Sequence, residues 1–180
     1  MFHFERTKIE GLYLITTDII KDNRGCFMET YKKSEFIKNG INLDFCQDNH
    51  SISKKGVLRG LHFQEEESAQ GKLVRCIKGK IFDVVVDIRK DSKTFGKWFY
   101  TVLSKSNKRM LYISAGFAHG FFTLSNEAEV IYKTTHEYVN SAEKGIIWND
   151  PDLNIPWPTS TPVLSNKDKQ NSYFREIFRS

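Results

Sequence analysis

Apolar and polar positions alternate in short runs along most of the chain, the period-two signature of strands that bury one face. The clearest run is 81–89, where Phe82, Val84, Val86 and Ile88 alternate with Asp83, Val85, Asp87 and Arg89. Gly79 and Lys80 form a tight turn between it and the run 72–78, which predicts a hairpin with one apolar face. Comparable runs predict strands over 11–17, 42–51, 57–64, 98–104, 110–114, 120–124 and 129–137. Turn-forming stretches separate them, such as EEESAQG at 65–71 and DSKTFGK at 91–97. Residues 33–39 read as a short helix closed by Gly40, where a left-handed cap is favoured. The proline-rich stretch 148–162 must run as extended coil over the surface, because proline removes ladder donors and restricts the residue before it. Residues 168–178 predict a second helix with Phe174, Ile177 and Phe178 on one face. No helix is long enough for a βαβ crossover. The pattern therefore predicts a mainly β fold, an antiparallel sandwich or barrel with a few short helices, and a jelly roll suits best because its mouth can hold a ligand.

Composition narrows the class further. A chain of 180 residues, 39% hydrophobic and 13% aromatic, buries a real core and is expected to form one domain over 1–180. Cys26, Cys46 and Cys76 lie far apart with no C-x-x-C pair, which argues against a zinc site or a disulfide framework and leaves them as small buried apolar residues. The start MFHFERTKIEG has no basic region followed by an apolar stretch, and Asp83 and Asp87 break the longest apolar run, so a cytoplasmic protein away from the membrane is expected. The formal charge of +5 favours anionic partners. Its lysines and arginines are scattered among acids, unlike a nucleic-acid-binding arm, and fit phosphate-bearing small molecules equally well.

The segment VLRGLHFQ at 57–64 carries the first candidate chemistry. His62 near Arg59 is an imidazole that titrates near neutrality beside a cation suited to phosphate, although a lone strand histidine is more often simply hydrogen-bonded or half-exposed. Arg59 and His62 have opposite parity, so they share a pocket only if the strand is bulged between them, at Gly60. Lys72 shares a strand face with Val74 and Cys76; if that face lines a cavity, its cation could stabilise an enolate oxygen, and otherwise it is a solvated strand-end lysine. Tyr132 shares parity with Val130 and Thr134, as a packing residue with a wet tip or as a proton donor opposite His62. Asp168, in LSNKDK, is either a surface acid or the acceptor of the His62 ring N–H. His119 sits between Gly116 and Gly120, and two lone histidines without convergent acidic ligands make a weak metal site.

With these motifs in view, together with QGKLVRCIKGKIFDVVVDIRKDSKTFGKW, ISAGFAHGF, EVIYKTTHEY and WNDPDLNIPWP, the chain resembles the dTDP-4-dehydrorhamnose 3,5-epimerases of the cupin superfamily. The resemblance runs in order from Gly11 to Asp168. It implies a cupin-type jelly roll that converts dTDP-4-dehydro-6-deoxy-D-glucose to dTDP-4-dehydro-L-rhamnose with no metal and no organic cofactor. It implies His62 as base paired with Asp168, Tyr132 as acid, and Lys72 near the keto oxygen. Nucleotide contacts would fall to Arg24, Glu29, Gln47, Asp48, Asn49, Arg59, His119, Glu143 and Lys167, with Tyr138 stacking on thymine. It also implies a homodimer with exchanged strands, in which the first fifty or so residues contribute to the dimer and Arg24, Phe27 and Glu29 serve the partner's site. The acidic loop at 65–71 and the tail after Lys169 depart from the family pattern and leave nucleotide preference and the role of the tail open. Competing readings are a 3-epimerase or 3,4-ketoisomerase on the same fold, or a non-catalytic nucleotide-sugar binding barrel.

Overall fold

The structure, a computed structural model, describes residues 1–178, the side chain of Glu66 aside. Thirteen strands and two short helices follow in the order β1 (Phe2–Arg6), β2 (Leu12–Thr17), β3 (Ile20–Asp22), β4 (Gly25–Phe27), α1 (Lys33–Lys38), β5 (Gln47–Lys54), β6 (Leu58–Gln64), β7 (Lys72–Lys78), β8 (Lys80–Asp87), β9 (Trp98–Ser104), β10 (Met110–Ile113), β11 (Phe117–Thr123), β12 (Glu127–Thr134), β13 (Glu143–Gly145) and α2 (Phe174–Phe178). They build a six-stranded sheet, β1-β2-β10-β7-β12-β5, and a five-stranded sheet, β13-β6-β11-β8-β9, with β3 and β4 as a separate hairpin. This is the mainly β, antiparallel architecture that the pattern predicts, and the cupin-type fold that the resemblance implies.

Val74, Cys76, Leu111, Ile113 and Val130 from the larger sheet meet Ile81, Val85, Leu103, Phe117 and Phe121 from the smaller one. That core lies between the two sheets. The larger sheet's outer face packs Phe2, Ile15, Leu73 and Met110 under Phe36 of α1.

The turn at Gly79 does not close the hairpin expected of it: β7 belongs to the six-stranded sheet and β8 to the five-stranded one, so the chain turns a corner between layers. Gly79 has φ +73°, and a Cβ there would lie within hard contact of the Glu127 carbonyl, so only glycine fits the corner. Strand β8 is buried on both faces. Phe82, Val84 and Val86 lie under the C-terminal segment with Leu153, Trp157 and Phe174, so that segment completes a second core and is no mere surface coil. On the other face, Asp83 and Asp87 are fully buried. Burial alone would raise the Asp87 carboxyl, but bonds from Arg89, Ser92 and Thr94 hold it at about 2.

The predicted helix over 168–178 is a 3-10 turn at Asp168–Gln170 and a separate α2. Phe174, Ile177 and Phe178 nevertheless pack together into the outer core. Of the cysteines, Cys76 is buried while Cys26 and Cys46 are exposed: Cys26 sits on the free β3–β4 hairpin and Cys46 just before an edge strand.

Candidate functional site

The bulge that the sequence requires at Gly60 is present. His119 pairs with His62 and Phe121 with Arg59, so Gly60 and Leu61 together face the single residue Gly120. Gly60 has φ +118°, and a Cβ would press on the backbone of His119 and Gly120. One extra residue restores a common face, and Arg59 and His62 line one cavity of about 390 Å³.

The cavity lies between the sheets. His62 on β6 and His119 on β11 enter from the five-stranded side, while Lys72 on β7, Tyr132 on β12 and Ser51 on β5 enter from the six-stranded side. Tyr132 pairs in register with Val74, and Thr134 with Lys72, which puts the two faces inferred from parity on the same side of the sheet. The tail closes the wall with Val163, Ser165, Lys167 and Asp168. A second lobe of about 210 Å³ shares His62, Lys72 and Tyr132 and adds Gln47, Asn49, Gln70, Tyr138 and Glu143.

His62 Nε2 stands 2.5 Å from Asp168 Oδ1, with the carboxylate 4% exposed and the imidazole 30% exposed. Burial alone would raise the Asp168 carboxyl, yet it is held below its ordinary value by His62, by the hydroxyl of Ser165 and by the charge of Arg59. Ser165 shapes the turn around this acid: its hydroxyl accepts the Asp168 N–H at 3.0 Å and its carbonyl the Lys169 N–H at 3.2 Å. With Nε2 committed to Asp168, the ring presents Nδ1 for other work.

Lys72 is buried, which pulls its ammonium down to about 8 against the opposing pull of Glu143 and Asp83. Burial likewise raises the Tyr132 phenol; Arg59 opposes this and Glu143 adds to it. Glu143 anchors the rim, where Tyr138 Oη and Lys167 Nζ both donate to its Oε2. Burial would raise that carboxyl, but those two bonds and the nearby His62 hold it low. Gln47 accepts the Tyr138 backbone N–H at 2.9 Å and donates to Asn49 Oδ1 at 2.8 Å. Arg59 is held by Ser53 Oγ at 3.0 Å and the Ile52 carbonyl at 3.3 Å.

Four of the residues singled out from the sequence lie outside this cavity in their own chain. Asp48 has the opposite parity to Gln47 and Asn49 and pairs with Lys133 on the outer face. Arg24 pairs with Asp22, Glu29 lies near Lys32, and Phe27 is 63% exposed, all on or beside the free β3–β4 hairpin. Sequence reasoning missed Asp83, which receives His119 Nε2 at 2.9 Å, and Ser51, which lines the cavity and whose hydroxyl is buried. Alternation hides Asp83, placing it opposite the apolar face of a strand that reads as one-sided; the burial of β8 on both faces is what obliges this acid to find a partner. Among the described residues, no group of three or more His, Cys, Asp and Glu side chains is placed to hold a metal ion.

A histidine–aspartate pair on one wall of the barrel faces a lysine and a tyrosine on the other, an arrangement chemically able to move protons on an anionic ligand. The profile of the dTDP-4-dehydrorhamnose 3,5-epimerase family matches residues 6–176, and the chain belongs to that family. The dTDP-4-dehydrorhamnose 3,5-epimerase of Shigella flexneri is 51% identical over 94% of both chains. A dTDP-4-dehydrorhamnose 3-epimerase of Streptomyces niveus is 41% identical over 89% of this chain and 78% of its own. The crystal structure of a dTDP-6-deoxy-D-glucose-3,5-epimerase from Legionella pneumophila Philadelphia 1, in complex with dTDP-4-keto-L-rhamnose, superposes with a TM-score of 0.92 at 43% identity, covering 96% of this chain and 93% of the other.

Proposed function

We propose that this enzyme epimerises dTDP-4-dehydro-6-deoxy-D-glucose at C3 and C5, giving dTDP-4-dehydro-L-rhamnose, through an enolate. The observation that carries the reading is the placement of His62 and Tyr132 on opposite sheets across one cavity. Inversion at carbon needs a base on one face of the ring and an acid on the other. His62 Nδ1 takes the proton from C3 or C5, which the C4 ketone acidifies, while Asp168 stabilises the imidazolium. Lys72, as the ammonium, holds the developing enolate oxygen. Tyr132 returns a proton from the opposite face, and exchange with water resets both groups before the second centre reacts. Arg59, with its fork fixed by Ser53, suits the diphosphate, and the lobe with Gln47, Asn49, Tyr138 and Glu143, the last bonded by Lys167 of the main cavity, suits the thymidine.

The working form in this reading is a homodimer. All residues of β3 and β4 are exposed, and a groove of about 380 Å³ on the outer face of the larger sheet, lined by Asp48, His50 and Arg75, is suited to receive a partner's hairpin. Arg24, Phe27 and Glu29 then complete the neighbouring site. Free Cys26, Cys46 and Cys76 accord with a reducing compartment such as the cytoplasm, and no described helix is long and apolar enough to cross a membrane.

The Streptomyces niveus relative makes action at C3 alone the second reading. Turnover in D2O separates the two: deuterium is expected at both C3 and C5, and label confined to C3 would overturn the assignment. His62→Ala is expected to abolish turnover while dTDP still binds; parental turnover in that variant would remove His62 as the base, and dTDP binding with no turnover in either protein would favour a binding barrel.

A further inference from the structure

The tail that carries Asp168 is bridged at Val163 to Val57, at the start of β6, and from there it must deliver a carboxylate to within hydrogen-bond reach of His62. It is laid along β13 and its continuation. Lys167 pairs with Glu143, Ser172 forms a parallel bridge with Ile146 and accepts the Ile147 N–H at 2.9 Å, and Asp150 accepts the Phe174 N–H at 2.7 Å. Between these points stands Asn171. Its carboxamide atoms all fall within 2.5 Å of where a Cβ on residue 145 would be, so the group occupies space that exists only because residue 145 is glycine.

Gly145 is the register partner of His62. Directly paired residues project their side chains to the same face of a sheet, roughly 5 Å apart at Cβ. The Asn171 carboxamide therefore fills the place beside the His62 side chain on the inner wall. Its Nδ2 is buried with no hydrogen-bond partner among the described residues, so polarity does not explain its seat and shape does. We propose that Asn171, seated on Gly145, is a positioning residue: it fixes how far the tail advances along β13 and so the meeting of Asp168 with His62. The inference rests on the reading of His62 as the base.

Kinetics of Gly145→Ala, Asn171→Ala and the double variant test it. A Cβ at 145 expels the carboxamide and shifts the turn, and since misplacement by about 1 Å costs up to roughly 100-fold in rate, kcat of Gly145→Ala should fall at least about ten-fold. KM and dTDP affinity should change far less than kcat, because Lys167 is the one nucleotide contact carried on the shifted turn. Adding Asn171→Ala relieves the clash, so the double variant should recover most of that loss, a strong departure from additivity. Parental kcat in Gly145→Ala, additive losses in the double variant, or a loss carried by KM would overturn the proposal. If Gly145→Ala does not fold, Asn171→Ala decides alone: kcat several-fold lower at unchanged KM is expected, and parental kcat overturns it. His62→Ala distinguishes the layers: parental turnover there removes the base assignment itself, whereas an essential His62 with inert Gly145 and Asn171 variants removes only this inference.

Discussion

At the scale of the residue, Lys72 shows function opposing stability. A buried ammonium is costly, and burial has pulled this one down to about 8 despite Glu143 and Asp83. Because the folded value lies below the ordinary lysine value, the unfolded chain binds the proton more tightly. The resulting penalty on folding is full below about pH 8 and fades as the pH rises toward the unfolded value. The chemistry needs the opposite form, since only the ammonium stabilises an enolate. We expect kcat/KM to decline as pH rises through about 8, with one proton lost. Lys72→Met should lower kcat by roughly 100- to 1,000-fold while raising the melting temperature, read from a pH–rate series and a thermal melt. A basic limb that survives in Lys72→Met would assign the titration to another group.

At the scale of the element, the site depends on one inserted residue in β6. The bulge at Gly60 puts Arg59 and His62 on one face, and both the φ of +118° and the nearness of the His119 and Gly120 backbone exclude a side chain there. Gly60→Ala is expected to cost at least ~2 kcal/mol, or roughly 4–8 °C in a chain of this size, and to remove most activity by turning Arg59 or His62 out of the cavity. A melt and a dTDP titration check both; an unchanged melting temperature with full turnover would show that the bulge is dispensable. The bulge is legible in the sequence alone, because two residues needed in one pocket have the wrong parity and a glycine lies between them. The parity of Lys72 and Tyr132 is legible for the same reason: period two is local. The layer change at Gly79 is not, since a glycine corner and a hairpin turn look alike in sequence and only the pairing of distant strands separates them. Nor is β13, a three-residue strand with no alternation to read, although it carries Glu143 and Gly145. The buried role of 148–162 is hidden because prolines mark it as extended without saying what Leu153 and Trp157 will cover.

At the scale of the whole molecule, the cavity collects its groups from both sheets and the tail, yet Arg24, Phe27 and Glu29 stand away from it on or beside an exposed hairpin. If these residues complete the site of a second copy, then Arg24 and His62 of one site come from different chains, and that separation can be tested genetically. Arg24→Ala and His62→Ala chains, each weakly active or inactive alone, are co-expressed with different tags and the mixed dimer is isolated. One of its sites then joins an intact His62 to the other chain's intact Arg24, while the second site carries both lesions. The mixed dimer should recover about half the parental rate, as a two-fold interface dictates. If Arg24 instead folds back to its own chain's cavity, each site keeps one lesion and nothing is recovered. Recovery by simple mixing without co-expression would further show that the dimers exchange subunits, which strands laid across a neighbouring sheet should make slow.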